Sequence, residues 1–218
     1  MDSDMTKQLT NYKNQTKESG ECLVINVFPK RVFEMEDILN SKEFDFKNAR
    51  TLCEDINLGA PNGCKGDAFT NSIPINPKIK IMMDILRPYI TRLMEEALQV
   101  RLWIQFNIPK IEDGNNFGVG IQEEVLGEAV SIEKDASNFL EQMSRYHISR
   151  AKMLTKVIKF PNIMDYHECV KNADEMQAIS LRYIVMEMRN HYAILHDMIK
   201  KNLERIKIPR SNNTISMY

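Results

Sequence analysis

The side chains of this sequence best suited to holding a metal are four histidines, His147, His167, His191 and His196, and four cysteines, Cys22, Cys53, Cys64 and Cys169. In a bundle of long helices the recurrent metal chemistry is a carboxylate-bridged dimetal centre. It takes Glu-x-x-His from each of two helices, so that both ligands share a face. The residues three before the histidines are Ser144, Met164, Met188 and Ala193, none of them a carboxylate. His191 and His196 are five apart, whereas ligands that share a helical face stand at i and i+4. His167, Glu168 and Cys169 are consecutive and point in different directions on a helix. The cysteines show no CxxC pairing, and in a reducing compartment they read as ordinary thiols.

Nucleotide and acyl-transfer chemistry find no better support. No G-x-x-x-x-G-K-[ST] phosphate loop is present, and "GNNFGVG" neither matches G-x-G-x-x-G nor follows a strand. Serine-elbow, HExxH and paired CxxC patterns are absent as well. The expectation is a binding protein that is not an enzyme and needs no cofactor or metal. One stretch nonetheless asks for explanation: "IPKIEDGNNFGVGIQEE", Ile108 to Glu124, crowds Pro, Asp, Gly and Asn between two helical patterns. A helix connection needs only a few such residues. Pro109 is expected to end the helix before it, Gly114 to take a positive φ, and Asn115 and Asn116 to tie side chain to backbone. A plain connector accounts for Pro and Gly but leaves Glu112, Asp113 and the Asn pair without a reason.

The elements on either side are long. Ile79, Met82, Leu86, Ile90, Leu93, Ala97, Val100 and Ile104 step by three and four, which predicts a helix over about 78–107, with Pro88 expected to bend it. A second stripe runs Val125, Ala129, Ile132, Ala136, Phe139, Met143, Tyr146, Arg150 or Ala151, Leu154 and Ile158, predicting a helix over about 118–159. A third runs Leu181, Val185, Met188, Tyr192, Leu195, Ile199, Leu203 and Ile206, within about 164–207 after the break at Pro161. Each of these last two would be about 60 Å long and can bury itself only beside other helices. The first segment, about 4–40, is a weaker pattern, kinked or interrupted around Pro29. Residues 41–77, with "LGAPNGCKG" and "NSIPINP", read as a loop.

Only 8 Gly and 8 Pro in 218 residues, with 14 Met, favour helices over turn-rich sheets. The fold predicted is an all-α antiparallel up-down four-helix bundle in a single domain over 1–218. Stripes on more than one face would leave apolar surface uncovered in a monomer, so lateral self-association is expected. Lys plus Arg number 29 against 30 Asp plus Glu, a balance that gives no reason to expect nucleic acid as a partner. The polar N-terminal stretch has no signal-peptide pattern and no apolar run is long enough to span a bilayer, so the chain is expected to be intracellular and soluble, in cytoplasm or nucleus, with no membrane partner. Near the C-terminus, Lys200, Lys201, Arg205, Lys207 and Arg210 either complement the helix dipole or meet an acidic surface, and a polar tail follows Pro209.

"IPKIEDGNNFGV" at Ile108 to Val119, "SRYHISRAK" at Ser144 to Lys152, "LHDMIKKN" at Leu195 to Asn202 and "IPRS" followed by a terminal Tyr218 together resemble the 11S regulator (REG) proteasome activator family, its gamma type above all. The resemblance covers about Lys78 to the end, with a fainter echo in "NVFPKR" at Asn26 to Arg31. It implies a homo-heptameric ring that caps the 20S proteasome core particle at its alpha-subunit ring and opens the gate without ATP. The family's activation loop maps onto Ile111, Glu112, Asp113, Gly114, Asn115, Asn116 and Phe117, and its core-binding tail onto Ser211, Asn212, Asn213, Thr214, Ile215, Ser216, Met217 and Tyr218. Lys152 falls where the gamma type has a basic residue near the pore. Residues 41–77 do not follow the family's own loop. A structural or adaptor bundle that uses its tail for another partner is the alternative reading.

Overall fold

The structure is a computed structural model that describes residues 2–45, 73–112, 114 and 116–210, with the side chains of 2 and 3 outside the description. Its helices are α1 (Asp2–Cys22), α2 (Phe28–Leu39), α3 (Pro77–Asn107), α4 (Phe117–Lys159) and α5 (Met164–Lys207). A π-helical stretch, Leu23–Val27, joins α1 to α2, and a short 3-10 turn, Lys42–Phe44, follows α2. Because α1 and α2 are one uninterrupted helical run, the architecture is an all-α antiparallel up-down four-helix bundle, and the described residues contain no strand.

The π-helical stretch is the answer to Pro29. A proline inside a helix has no N–H to offer the preceding turn and clashes with the carbonyl four residues back. Here the helix widens just before it, so that the Phe28 N–H bonds to the Leu23 carbonyl five residues back. The next carbonyl, that of buried Val24, would then await the N–H of residue 29, which proline lacks. His196 supplies the donor from α5: its Nδ1 lies 2.8 Å from the Val24 oxygen. The chain therefore passes Pro29 without breaking. Pro88 likewise lies inside α3 without interrupting it.

Two compact units divide the chain. The first comprises Met1–Glu34, Thr91–Ala136 and Met188–Tyr218. Its core includes Phe28, Leu93, Val100, Trp103, Ile132, Tyr192, Leu195 and Ile199, all at most 2% exposed. Phe28 and Tyr192 meet edge to face with ring centroids 5.0 Å apart. Gly20 makes room for Trp103, since a Cβ at residue 20 would lie 2.5 Å from the tryptophan Cβ. A carboxylate buried here must be satisfied, and Glu96 is: Arg31 donates to it through Nε at 3.0 Å and Nη2 at 2.8 Å, and the Tyr192 hydroxyl donates at 2.7 Å. Burial first, and then the Glu96 charge, hold the Tyr192 phenol far above its ordinary range.

The second unit comprises Met35–Ile90 and Ser137–Glu187. Its hub is Asp174, fully buried on α5, which accepts from Tyr146 Oη at 2.7 Å, Arg150 Nε at 2.9 Å and Asn76 Nδ2 at 2.9 Å. Asn76 also opens α3: its Oδ1 accepts from the backbone N–H groups of Lys78 and Ile79, while Pro77 takes the first helical position, where no donor is needed. Arg182 donates to the Leu39 carbonyl at 2.8 Å and to the Phe44 carbonyl, closing the end of α2. Of the two candidates for the core position at 150–151, Arg150 is buried and Ala151 exposed.

Candidate functional site

Among the described residues no three His, Cys, Asp or Glu converge to hold a metal, and Cys53 and Cys64 lie outside the description. His196 is taken up with Val24, and His167 Nε2 lies 3.1 Å from the Pro161 carbonyl, where it must donate. What the first unit does assemble is the connection between α3 and α4 together with the end of α5.

Each flank of this connection is set by local chemistry. The Ile108 N–H makes the last bond to α3, to the Ile104 carbonyl at 3.1 Å, and Pro109 cannot extend the helix. Gly114 has φ 134°, a conformation that side-chain-bearing residues rarely adopt. The Asn116 carbonyl accepts the first helical bond of α4 from the Gly120 N–H at 2.9 Å, which makes Asn116 the residue at the helix entrance. Asp113 and Asn115 lie outside the described residues. Ile111 is fully exposed and Phe117 is 66% exposed, so the connection presents apolar side chains to its surroundings.

The end of α5 closes against this connection in four ways. Gly118 packs so tightly on Pro209 that a Cβ there would fall 2.2 Å from the Pro209 carbonyl oxygen and 2.7 Å from its Cα. The Arg205 guanidinium sits over the Phe117 ring, 4.9 Å from its centroid. Arg210 donates to a Glu112 carboxylate oxygen at 3.0 Å, to the Glu112 carbonyl at 3.2 Å and to Asn116 Oδ1 at 3.0 Å. Beneath them Gln122, fully buried, donates its amide to the Asn107 carbonyl at 3.0 Å and the Ile206 carbonyl at 2.7 Å. Those carbonyls belong to the last turns of α3 and α5, where no helical N–H remains to serve them.

Of the expected loop residues, Ile111, Glu112, Gly114, Asn116 and Phe117 are described and stand together in the first unit. The Asn116 side-chain oxygen accepts from Arg210, a residue of another part of the chain. Ser211 to Tyr218 lie outside the described residues, which end at Arg210. Lys152 is exposed on α4 in the second unit. The basic cluster is largely engaged within the chain: Lys207 reaches Glu21 at 2.9 Å, a hydrogen bond that raises the lysine above its ordinary value, and Lys201 pairs with Asp197. Gln122 and Gly118 also shape this site, though neither belongs to the expected loop. Gln122 did leave a signal, since it stands three residues before Val125 and so is a polar residue on an apolar stripe.

Two family models match the chain: "Proteasome activator PA28, N-terminal" over residues 3–62 and "Proteasome activator PA28, C-terminal" over residues 72–216. Human proteasome activator complex subunit 3 is 34% identical over an alignment of 248 positions that covers 100% of this chain and 98% of the human one. Among solved structures, the 11S subunit of the Plasmodium falciparum proteasome, PA28, superposes with a TM-score of 0.80 at 31% identity, covering 96% of this chain and 95% of that one. A mutated P26 activator in complex with an archaeal 20S proteasome shares the fold, with a TM-score of 0.73 at 15% identity, covering 98% of this chain and 99% of that one.

Proposed function

This chain belongs to the PA28 family of proteasome activators, and from that premise we propose that it forms a homo-heptameric ring that binds the alpha-subunit ring of the 20S core particle and opens its gate without ATP. Ser211 to Tyr218 are the anchor, a segment whose backbone and side chains the core can capture. A single tail loses conformational freedom on docking and binds weakly, whereas seven on one ring raise the effective concentration, so avidity exceeds single-site affinity by roughly two to four orders of magnitude. Residues 111–117 are the gating element. The chain's own residues bind and displace; hydrolysis belongs to the core. Lys152 is assigned a place near the pore, where its charge influences which peptides pass.

One observation carries this reading: the loop and the root of the tail leave the first unit as one joined structure, through Gly118 against Pro209 and Arg210 against Glu112 and Asn116. A gating loop must keep its shape while the anchor holds, and a loop braced on the anchor's own root can do so. The test is peptide hydrolysis by purified 20S core with and without this protein, in the absence of nucleotide. Stimulation is expected, together with its loss when Ser211 to Tyr218 are deleted. Binding without stimulation by the intact chain, or undiminished stimulation after tail deletion, overturns the proposal.

A further inference from the structure

Taking that reading as its basis, the geometry points to Arg210 as a positioning residue that braces the gating loop from the root of the tail, beside the packing of Pro209 on Gly118. Its acceptors lie on both sides of the loop's turn at Gly114: Glu112, through carboxylate and carbonyl, on the approach from α3, and Asn116 Oδ1 at the entrance to α4. A planar fork with five donors can span two such places at once, while an ammonium on a flexible stem acts as a point charge. The Arg210 side chain is 23% exposed against 65% for Glu112, so it lies tucked against the loop's inner side.

An exposed ion pair taken singly stabilises little. This one differs because the backbone under it is fixed. Pro209 is pressed on Gly118 with no room for a methyl group between them, and Gln122 holds the carbonyl of Ile206 just before. The guanidinium therefore starts from a rigid base and closes the turn between residues 112 and 116 as a staple. Ser211 follows directly in the sequence, so the brace stands at the root of the tail.

The experiment compares full-length wild type with Arg210→Ala, Arg210→Lys and Glu112→Gln. Core binding and maximal stimulation at saturating ring are measured separately, and amide exchange over residues 110–117 is followed in the ring alone. For Arg210→Ala, binding should stay within about two-fold of wild type, since residues 211–218 are untouched. Maximal stimulation should fall about five-fold and loop exchange should quicken about five-fold. Arg210→Lys should resemble the alanine variant, and Glu112→Gln should fall between, because Arg210 keeps its two other acceptors. A variant with full stimulation once saturated, or one that loses stimulation only in step with binding while loop exchange is unchanged, overturns the brace. If wild type itself fails to stimulate, the functional reading falls, and the exchange comparison alone upholds or overturns Arg210 as the loop's brace.

Discussion

Gln122→Met offers the sharpest check on how the candidate site is held. Methionine matches the glutamine side chain closely in length but donates nothing, so the Asn107 and Ile206 carbonyls lose the amide now 3.0 Å and 2.7 Å away. The Ile206 bond is fully buried, and leaving a buried acceptor unmade costs about 1 to 3 kcal/mol. Asn107 is half-buried and water can take over there, which puts its loss at the low end, about 1 kcal/mol. Against these stands a gain of about 1 kcal/mol, because Gln122 Oε1 is buried with no partner among the described residues and an apolar side chain removes that burden. The net destabilisation is about 2 kcal/mol, equivalent to about 4 to 8 °C in Tm for a chain of this size. Thermal unfolding followed by circular dichroism reads it, with variant and wild type held at one protein concentration. Gln122→Glu sharpens the comparison by aiming a carboxylate at two carbonyl oxygens. It should be worse than methionine at neutral pH and recover as the pH falls, since the carboxyl then gains a proton to donate and folding favours the protonated form. A Tm unchanged by methionine, or a glutamate variant as stable as wild type at pH 7, would show that the amide does not hold these helix ends.

Three further outcomes follow from the same structure. His196→Ala should lose about 1 to 3 kcal/mol by orphaning the Val24 carbonyl, and much of that should return in the Pro29→Ala, His196→Ala double variant, where an N–H is again present; additive losses in urea unfolding would refute the link. Asp174→Ala should destabilise by about 3 to 5 kcal/mol, because it takes the carboxylate from the buried Arg150 guanidinium and an acceptor from Tyr146 and Asn76, and a change under 1 kcal/mol would remove Asp174 as the hub. His147 is held below its ordinary 6.5 by burial and by Arg87 and Arg150, so the unfolded chain takes up the proton first; stability should decline as the pH drops below 6.5, and His147→Asn should flatten that slope.

The long helices were legible because burial on one face leaves a period of three and four. All eight positions of the Ile79-to-Ile104 stripe are at most 3% exposed. The same rule misleads at the start of α1, where Met5, Leu9 and Tyr12 keep the period yet are 69%, 54% and 51% exposed within one chain. Periodicity reports an apolar face, and whether that face is covered depends on what packs against it. Pro29 was legible as a disturbance but its remedy was not, since His196 lies far along the chain and a single hydrogen bond leaves no repeat. For the candidate site, Pro109 and Gly114 announced the loop through backbone rules that act within a few residues. Arg210 looked like one more cation at a helix end, because its acceptors at 112 and 116 become neighbours only once α3, α4 and α5 are side by side.

The seam between Gly118 and Pro209 bears on how parts of this protein can be traded with those of relatives. A bulkier residue at 118 has nowhere to go unless the backbone at 209 retreats, and that retreat would drag position 210 from its acceptors. Interchange should therefore succeed only when residues 107–122 travel with everything from 205 onward as one cassette, and a hybrid taking either piece alone should inherit a mismatched joint.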